Sequence, residues 1–370
     1  MGPTVTRTPT PRATPFGGST GYIMTMVNMN VVKMSLKDPS DYELLVSYDE
    51  IMSNLDIKKL STTRNDFISH TGDLVAFWNC ASEYCDTERG TLYLFTPDFK
   101  KKAAVDVPGY PSFMGWSADH ARLLYYLEST MADDVYIIKT KDPGFGEIIK
   151  LGRINDAAWS PDGQTIYTQK GGTVHQYDKD GKEIQKQECN FNNACMHALS
   201  PDGTHFAAIQ KYVPTTAGNP VINITHPDFI DKQSIFISDD HALILSLMWL
   251  PDNQHIVVIG VSARQRTRRF WRLDYLSVIN VETGKERLIE LNIPEDSENF
   301  SFCGLTPDGT HLAYLSTGGR VKEQGRILMS GRYIMLLPIG SEKPELIRVT
   351  EFNDAWESCP AWLEQGNPLT

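Results

Sequence analysis

The sequence of 370 residues predicts an all-β fold, a seven-bladed β-propeller of four-stranded antiparallel blades. Three observations support this prediction: a sequence unit that recurs at intervals of about 40 to 57 residues, strand periodicity through almost the whole chain, and strands at the two ends that need each other as partners. Recurrence at such intervals is typical of repeat architectures, propellers among them. Radial closure also removes the long exposed sheet edges that a linear array of the same units would have.

The repeated unit consists of a strand, a tight turn and a returning strand. Its clearest copies carry turns such as SPDG and TPDG. Proline fixes φ at the second turn residue, and the Asp-Gly or Asp-Asn pair accepts the positive φ that closes the turn. Two further strands follow each hairpin, so that each unit supplies four strands. Together with weaker copies, the repeats give seven anchor residues: Ile68, Trp116, Trp159, Leu199, Trp249, Leu305 and Trp362.

The two ends of the chain supply the strands of one blade. Residues 357–362 form a strand at the last anchor, and residues 22–48 hold three strand-like segments with no anchor before them. We therefore expect the carboxyl-terminal strand to lie innermost in a blade whose other three strands come from the amino terminus. Six blades plus a separate amino-terminal element is the alternative. Residues 49–60 are expected to form a short helix or a loop.

The composition favours one large folded domain. Hydrophobic residues make up 41% of the chain, which is enough for a packed core. The net charge of −11 disfavours nucleic acid as a partner, because the chain repels phosphate backbones. We assign residues 1–21 to a disordered Thr/Pro-rich spacer, residues 22–364 to a single propeller domain that is a monomer, and residues 365–370 to a tail.

The amino-terminal spacer has two interpretations. It looks like the stalk that follows a signal peptide or a lipidated cysteine, which predicts a membrane tether through a removed signal or a lipid anchor. An ordinary disordered tail is the alternative. No apolar run approaches the roughly 20 residues that cross a bilayer.

The pattern W-S-P-D-G-x-x-I at Trp159 and its copies resemble the TolB-like repeat, also called the WD40-like or PD40 repeat. The pattern is also similar to repeats in the amino-terminal propellers of dipeptidyl-peptidase and prolyl-oligopeptidase families. The resemblance covers about residues 22 to 364 and implies a β-propeller. It leaves the function open, because propellers serve in binding, scaffolding and catalysis.

The cysteines bear on the cellular compartment. Their even number and close spacing favour disulfides and an extracytoplasmic location, whether periplasmic, secreted or surface-anchored. Buried thiols in a cytoplasmic protein are the alternative. The expected pairs are Cys80 with Cys85, Cys189 with Cys195, and Cys303 with Cys359.

The long loops of the predicted propeller share one face. The connections between the second and third strands of the blades hold long insertions, whereas the other hairpins are mostly tight turns. Loops elaborated on one side of a rigid scaffold usually carry binding groups, which points to blades 4 to 6 when blades are counted by anchor. Arginine forks bind carboxylate or phosphate, and aromatic rings stack on peptides or sugars. An acidic peptide, a sugar acid or a glycan fits such a surface, and a solvated loop tip is the alternative. The candidate binding residues are Arg264, Arg266, Arg268, Arg269, Phe270, Trp271, Arg272, Arg320, Lys322, Arg326 and Arg332.

A second candidate site surrounds the mouth of the central channel. Carboxylates near the starts of the innermost strands provide the oxygen ligands that a hard cation such as Ca²⁺ prefers. A channel entrance that is simply hydrated is the alternative. His197, on a predicted innermost strand, is the candidate general base or ligand. The candidate metal ligands are Asp66, Asp156, Glu298 and Glu357.

The function that these features favour is a non-catalytic extracytoplasmic binding or assembly module that recognises a protein or carbohydrate partner. No nucleophile motif, phosphate-binding loop or zinc motif occurs in a structural context that supports catalysis. A propeller-type lyase or hydrolase that uses the channel carboxylates and a divalent metal is one alternative. A cytosolic interaction scaffold is the other.

Overall fold

A computed structural model describes twenty stretches of the chain, and the predicted tail and all of the predicted spacer except Gly21 lie outside them. The described residues are 21–36, 41–58, 64–69, 72–80, 90–107, 109–128, 134–154, 156–170, 172–188, 198–210, 221–227, 232–236, 241–262, 275–290, 300–317, 320–323, 326–329, 332–340, 347–348 and 361–362.

The described residues form thirty strands and one helix, and twenty-eight of the strands belong to seven four-stranded antiparallel sheets. The chain begins with β1 (Tyr22–Val27), β2 (Asn30–Ser35), β3 (Tyr42–Val46) and helix α1 (Tyr48–Asn54). Blade 1 contains β4 (Arg64–Ile68), β5 (Val75–Cys80), β6 (Gly90–Phe95) and β7 (Lys102–Val107). Blade 2 contains β8 (Tyr110–Trp116), β9 (Arg122–Glu128), β10 (Asp134–Lys139) and β11 (Ile148–Arg153). Blade 3 contains β12 (Asp156–Trp159), β13 (Thr165–Lys170), β14 (Thr173–Asp178) and β15 (Glu183–Glu188).

The remaining sheets follow the same order along the chain. Blade 4 contains β16 (Ala198–Leu199), β17 (Phe206–Gln210), β18 (Val221–Thr225) and β19 (Lys232–Phe236). Blade 5 contains β20 (His241–Trp249), β21 (His255–Ser262), β22 (Tyr275–Asn280) and β23 (Glu286–Glu290). Blade 6 contains β24 (Phe300–Leu305), β25 (His311–Thr317), β28 (Arg332–Pro338) and β29 (Ile347–Arg348), and an extra hairpin of β26 (Arg320–Glu323) and β27 (Arg326–Met329) lies between β25 and β28. The last strand is β30 (Ala361–Trp362).

The ring closes as the sequence predicts. Strand β30 pairs antiparallel with β1, so that Trp362 lies opposite Ile23 and Ala361 lies opposite Met24. Blade 7 therefore has the strand order β3-β2-β1-β30, with three strands from the amino terminus and one from the other end. The seven-bladed prediction is confirmed, and the six-bladed alternative is wrong.

The repeated turn is held by a network that its own residues provide. In blade 3, the Ser160 hydroxyl donates to Asp162 Oδ1 at 2.6 Å and accepts the N–H of Thr165 at 2.9 Å. The same aspartate oxygen accepts the N–H of Gln164 at 3.0 Å. These hydrogen bonds hold the pKa of Asp162 below its ordinary value of 3.8. Equivalent bonds join Ser117 to Asp119, Ser200 to Asp202, and Thr306 to Asp308.

Turns of neighbouring blades pack directly against each other. A Cβ atom added at Gly309 in blade 6 would lie 2.4 Å from Pro251 Cδ of blade 5. The same arrangement recurs two steps round the ring, where a Cβ at Gly203 in blade 4 would lie 3.0 Å from Pro161 Cδ of blade 3. In addition to their roles within one turn, the glycine of one copy of the repeat packs against the proline of the copy in the neighbouring blade.

Replacing Gly309 by Ala tests this packing. Both the positive φ of +68° and the contact with Pro251 oppose a side chain there. We expect G309A to lower the free energy of unfolding by about 1 to 2 kcal/mol more than G284A, measured by urea denaturation. Gly284 is the matched control, because it has the same φ of +68° and its nearest neighbour for an added Cβ is Ile235 Cγ2 at 3.9 Å. Equal losses in the two variants would show that the turns do not support each other.

Hydrophobic residues fill the spaces between blades. Phe77 of blade 1 belongs to a cluster with Met24 of blade 7, and Trp78 of blade 1 belongs to one with Tyr125 of blade 2. Further clusters join blades 2 and 3, 4 and 5, 5 and 6, and 6 and 7. Between blades 3 and 4, the rings of Tyr167 and Phe206 meet edge to face, with centroids 5.0 Å apart.

The anchor tryptophans lie between blades. The Trp159 indole N–H donates to the carbonyl of Gly115 in blade 2 at 3.2 Å, and the Trp249 N–H donates to the carbonyl of Ala198 in blade 4 at 3.1 Å. The other two, Trp116 and Trp362, are also buried. The tryptophan of the repeat therefore joins blades and is not a ligand-stacking residue.

Helix α1 connects blade 7 to blade 1, where the sequence predicts a short helix or a loop. The Ser47 hydroxyl accepts the N–H of Glu50, and the Glu50 carboxylate accepts the N–H of Ser47 at 2.8 Å, which forms a capping box. Ile51 is fully buried in the cluster between the two blades. Within the described ranges, no helix has the length and apolar character needed to cross a membrane.

Candidate functional site

The antiparallel order of each blade divides its connections between two faces. We call the face with the connections from second to third strand the long-loop face. The other face, which we call the turn face, carries the connections from first to second strand and from third to fourth strand. The SPDG turns join first to second strands and therefore lie on the turn face.

The basic residues predicted from the sequence fall at or beside the connection from second to third strand in blades 5 and 6. Residues 263–274, which contain the five arginines from Arg264 to Arg272 together with Phe270 and Trp271, connect β21 to β22 and lie outside the described residues. In blade 6, β26 carries Arg320 and Lys322, and β27 carries Arg326. Arg332 is the first residue of β28.

The hairpin of β26 and β27 is a feature that the sequence prediction missed. Residues 317–332 were expected to be a long loop, yet Arg320 pairs with Met329 and Glu323 pairs with Arg326 in a regular antiparallel register. The signal in the sequence is a pair of short strand-like runs, RVKE and RILM, on either side of Gln-Gly. The basic residues of blade 6 are therefore carried by a β-hairpin.

The candidate metal ligands are described only in part. Asp66 lies within β4, and Asp156 is the first residue of β12. Both strands are the first of their blades, and β4 and β12 both contact β8 of the blade between them. Glu298, Glu357 and the candidate base His197 lie outside the described residues. Within the described part of the chain, no group of three or more His, Cys, Asp or Glu side chains is placed to hold a metal ion.

The structure describes two of the six cysteines. Cys80 is buried on β5 as a thiol, so the predicted bond to Cys85 is not confirmed. Cys303 on β24 is disulfide-bonded, and no other cysteine that could be its partner is described. Its pairing with Cys359 therefore stays a prediction. The remaining cysteines, Cys85, Cys189, Cys195 and Cys359, lie outside the described residues.

A cavity of about 340 Å³ opens on the turn face between blades 1 and 2. We call it the seam cavity. It is another feature that the sequence prediction missed, because its walls come from turns of two different blades. The residues that line it are Asp73, Leu74, Thr96, Lys101, His120, Thr140, Lys141 and Asp142.

Polar contacts fix the groups around the seam cavity. The Lys101 ammonium of blade 1 forms a salt bridge with the Asp142 carboxylate of blade 2, with 2.8 Å between Nζ and Oδ2. Lys141 donates to the backbone carbonyl of Asp119, and the Thr140 hydroxyl donates to the carbonyl of His120 at 2.7 Å. These bonds hold both lysine ammonium groups next to the cavity.

Asp119 shows how the turn network acts on the charges around this cavity. Burial raises the pKa of this carboxyl group, but hydrogen bonds from the Ser117 hydroxyl and the Ala121 N–H oppose it. The positive charges of Arg122 and Lys141 act in the same direction as those hydrogen bonds. The net result is a pKa below the ordinary value of 3.8, so Asp119 is a carboxylate at neutral pH.

Known proteins resemble this chain in structure and not in sequence. No protein-family model and no curated protein matches it. A hydrazine synthase structure from Kuenenia stuttgartiensis is 15% identical, covers 76% of this chain and 94% of its own, and has a TM-score of 0.50. An oligogalacturonate lyase solved in complex with manganese is 13% identical, covers 84% of this chain and 83% of its own, and has a TM-score of 0.51.

TolB from Acinetobacter baumannii is a third similar structure. It is 14% identical, covers 91% of this chain and 79% of its own, and has a TM-score of 0.45, which is too low to carry an argument. The hydrazine synthase and the lyase, at 15% and 13% identity, show a shared fold and nothing about activity. The β-propeller implied by the TolB-like repeats is the fold that the chain adopts, with seven blades closed by the two ends of the polypeptide.

Proposed function

We propose that this protein is a binding module that captures an acidic protein segment or acidic carbohydrate on the long-loop face of blades 4 to 6. The observation that carries the proposal is the β26–β27 hairpin of blade 6. It inserts Arg320, Lys322 and Arg326 at the connection from second to third strand.

The basic hairpin has a counterpart in the neighbouring blade. The segment from Arg264 to Arg272 connects β21 to β22, and this is the same connection, from second to third strand, in blade 5. Because equivalent connections of adjacent blades belong to the same face, we assign the two arginine-rich segments to one basic surface. The chain as a whole has a net charge of −11, so this concentration of positive charge stands out. A local cationic surface attracts an anionic partner even when the molecule as a whole is acidic.

The chemistry of these side chains favours carboxylate recognition. The guanidinium group presents donors in a planar fork that matches a carboxylate, and it is less strongly hydrated than an ammonium group. Phe270 and Trp271 add rings to the same segment, and aromatic rings stack on sugars and peptide planes. A polymer that carries repeated carboxylates would engage several arginines at once.

An extracytoplasmic location is part of the proposal. The even number of cysteines and the disulfide bond of Cys303 support it, because such bonds persist in oxidising compartments.

The decisive experiment replaces Arg266, Arg268 and Arg269 by Ser and measures binding of fluorescent poly-L-glutamate and polygalacturonate at low salt. We expect the wild type to bind at least one of these probes, and the triple variant to bind it at least about tenfold more weakly. The matched control replaces Lys100, Lys182 and Lys285, three exposed lysines of the turn face, by Ser. It removes the same charge and is expected to change affinity by less than about twofold.

Two results would contradict the proposal. One is a wild type that binds neither polyanion at low salt. The other is a pair of triple variants with the same affinity, because binding would then follow net charge and not the arginine-rich segment. Thermal unfolding of both variants checks that the ring is intact.

A further inference from the structure

The wall of the seam cavity is a loop built to keep its shape. The connection between β10 and β11 spans eight residues, 140–147, whereas the β14–β15 turn on the same face uses four, 179–182. Phe145 packs into the hydrophobic cluster between blades 1 and 2. A Cβ atom added at Gly146 would lie 2.8 Å from Ala103 Cβ, so the loop backbone rests directly on β7 of blade 1.

Two ion pairs hold this loop, one across its base and one near its middle. Lys139 Nζ lies 2.8 Å from Glu147 Oε2 across the base of the loop. Asp142, near the middle, is joined to Lys101 of the neighbouring blade. The packing of Phe145 and Gly146 and the Lys139–Glu147 pair therefore fix the wall before any ligand arrives, which lowers the entropic cost of binding.

The charges around the cavity are mixed in sign. Lys101 and Lys141 contribute ammonium groups, and Asp73 and Asp142 contribute carboxylates. A ligand with only positive or only negative charge would meet like charge on part of this lining. A ligand that carries both signs can place each of its charged groups beside an opposite one.

We propose that the seam cavity binds a small zwitterion with one ammonium and one carboxylate group, such as a free α-amino acid. Its carboxylate would accept hydrogen bonds from Lys101 and Lys141, and its ammonium group would donate to Asp73 and Asp142. The cavity volume of about 340 Å³ lies at the lower end of the range for small-molecule sites, which suits a ligand of this size.

The Lys101–Asp142 salt bridge does not oppose this binding strongly. The side chains of Lys101 and Asp142 are 46% and 67% exposed, and a pair in contact with water contributes little to stability. A ligand that inserts between the two groups replaces one weak pair with two ion pairs of its own. The site is on the face opposite to the arginine-rich segments and does not depend on the function proposed for them.

Calorimetric titration of the full chain with glycine, L-alanine, L-glutamate and L-arginine tests the proposal. At least one of these zwitterions is expected to bind with a dissociation constant below about 1 mM. Acetate and methylammonium, which each carry one of the two charges, are expected to show no binding at about 10 mM. The variants Lys101→Met and Asp73→Asn are each expected to raise the dissociation constant of the zwitterion by at least about tenfold.

Lys100→Met is the matched control. Lys100 is the neighbour of Lys101 on the same turn, forms its own ion pair with Asp98 at 2.8 Å, and does not line the cavity. The Lys100→Met variant should change the affinity for the zwitterion by less than about twofold. The proposal is overturned if none of the four amino acids binds at about 10 mM, if acetate binds as well as the zwitterion, or if Lys101→Met and Asp73→Asn both keep the wild-type affinity.

Discussion

Replacing Trp362 by Ala is expected to lower the free energy of unfolding by about 3 to 5 kcal/mol, which is the range for deletion of a buried aromatic side chain. The Trp362 side chain is 4% exposed and packs against Ile23, Leu315 and Leu336 in the cluster between blades 6 and 7. It is also one of the two described residues of β30, the strand that joins the ends of the chain. The loss therefore combines a cavity in the core with a weaker closing sheet, and urea denaturation followed by tryptophan fluorescence measures it.

The variant Trp249→Ala distinguishes the loss of ring closure from the loss of a buried side chain. Trp249 is 6% exposed at the equivalent anchor of blade 5, whose four strands are consecutive in sequence. Trp249→Ala removes a side chain of the same size and should cost a similar amount. Limited proteolysis in native buffer should differ: Trp362→Ala is expected to expose β1 to β3 to cleavage, and Trp249→Ala is not. A Trp362→Ala variant that loses less than about 1 kcal/mol would mean that β30 does not hold the ring together.

Replacing Gly90 by Ala is expected to lower the free energy of unfolding by about 3 kcal/mol, at the upper end of the range for overpacking. An added Cβ would lie 2.2 Å from both Cε2 and Nε1 of the Trp78 indole ring. Trp78 has no solvent exposure and is enclosed by Leu92, Leu94 and Tyr125, so the ring cannot shift away without moving the core between blades 1 and 2. Interiors packed to this density transmit such strain to their neighbours.

Gly340→Ala is the control for this experiment. An added Cβ at Gly340 meets no atom within 4 Å. It should leave the unfolding midpoint in urea almost unchanged, because it adds a methyl group without a contact. If Gly90→Ala and Gly340→Ala unfold at the same urea concentration, the indole ring has room that the structure does not indicate.

Most of the fold could be predicted because the information for each blade is local. The serine or threonine, the aspartate and the glycine of the SPDG turn supply their own hydrogen bonds and their own positive φ, as the turn at Ser160 shows. A pattern of this kind fixes where one strand ends and the next begins without knowledge of the rest of the chain. When the strands are counted, three are left over near the amino end and one near the carboxyl end. Together they make one complete blade, which predicts the pairing of β30 with β1.

The seam cavity could not be predicted from the same patterns. Lys101 and Asp142 lie on turns of different blades, and their contact depends on how two sheets pack side by side. The predicted disulfide of Cys80 is not confirmed, for a related reason. The close spacing of two cysteines in sequence does not say whether either side chain faces the core, and Cys80 is buried among Trp78 and Leu92. Among the candidate binding segments, the region around Arg320 carries a hairpin signal that can be recognised in the sequence.

The closing sheet also has a consequence for synthesis of the protein. Blades 1 to 6 each consist of strands that follow one another closely, so each can pair its strands as they leave the ribosome. Strands β1 to β3 precede blades 1 to 6 in the chain, yet their inner partner β30 follows all six of these blades. Contacts between residues so far apart in sequence form slowly. The apolar side chains of β1, Ile23 and Met24 among them, therefore lack their partner strand until blades 1 to 6 have been synthesised, and apolar surface exposed for that long is the kind that chaperones bind.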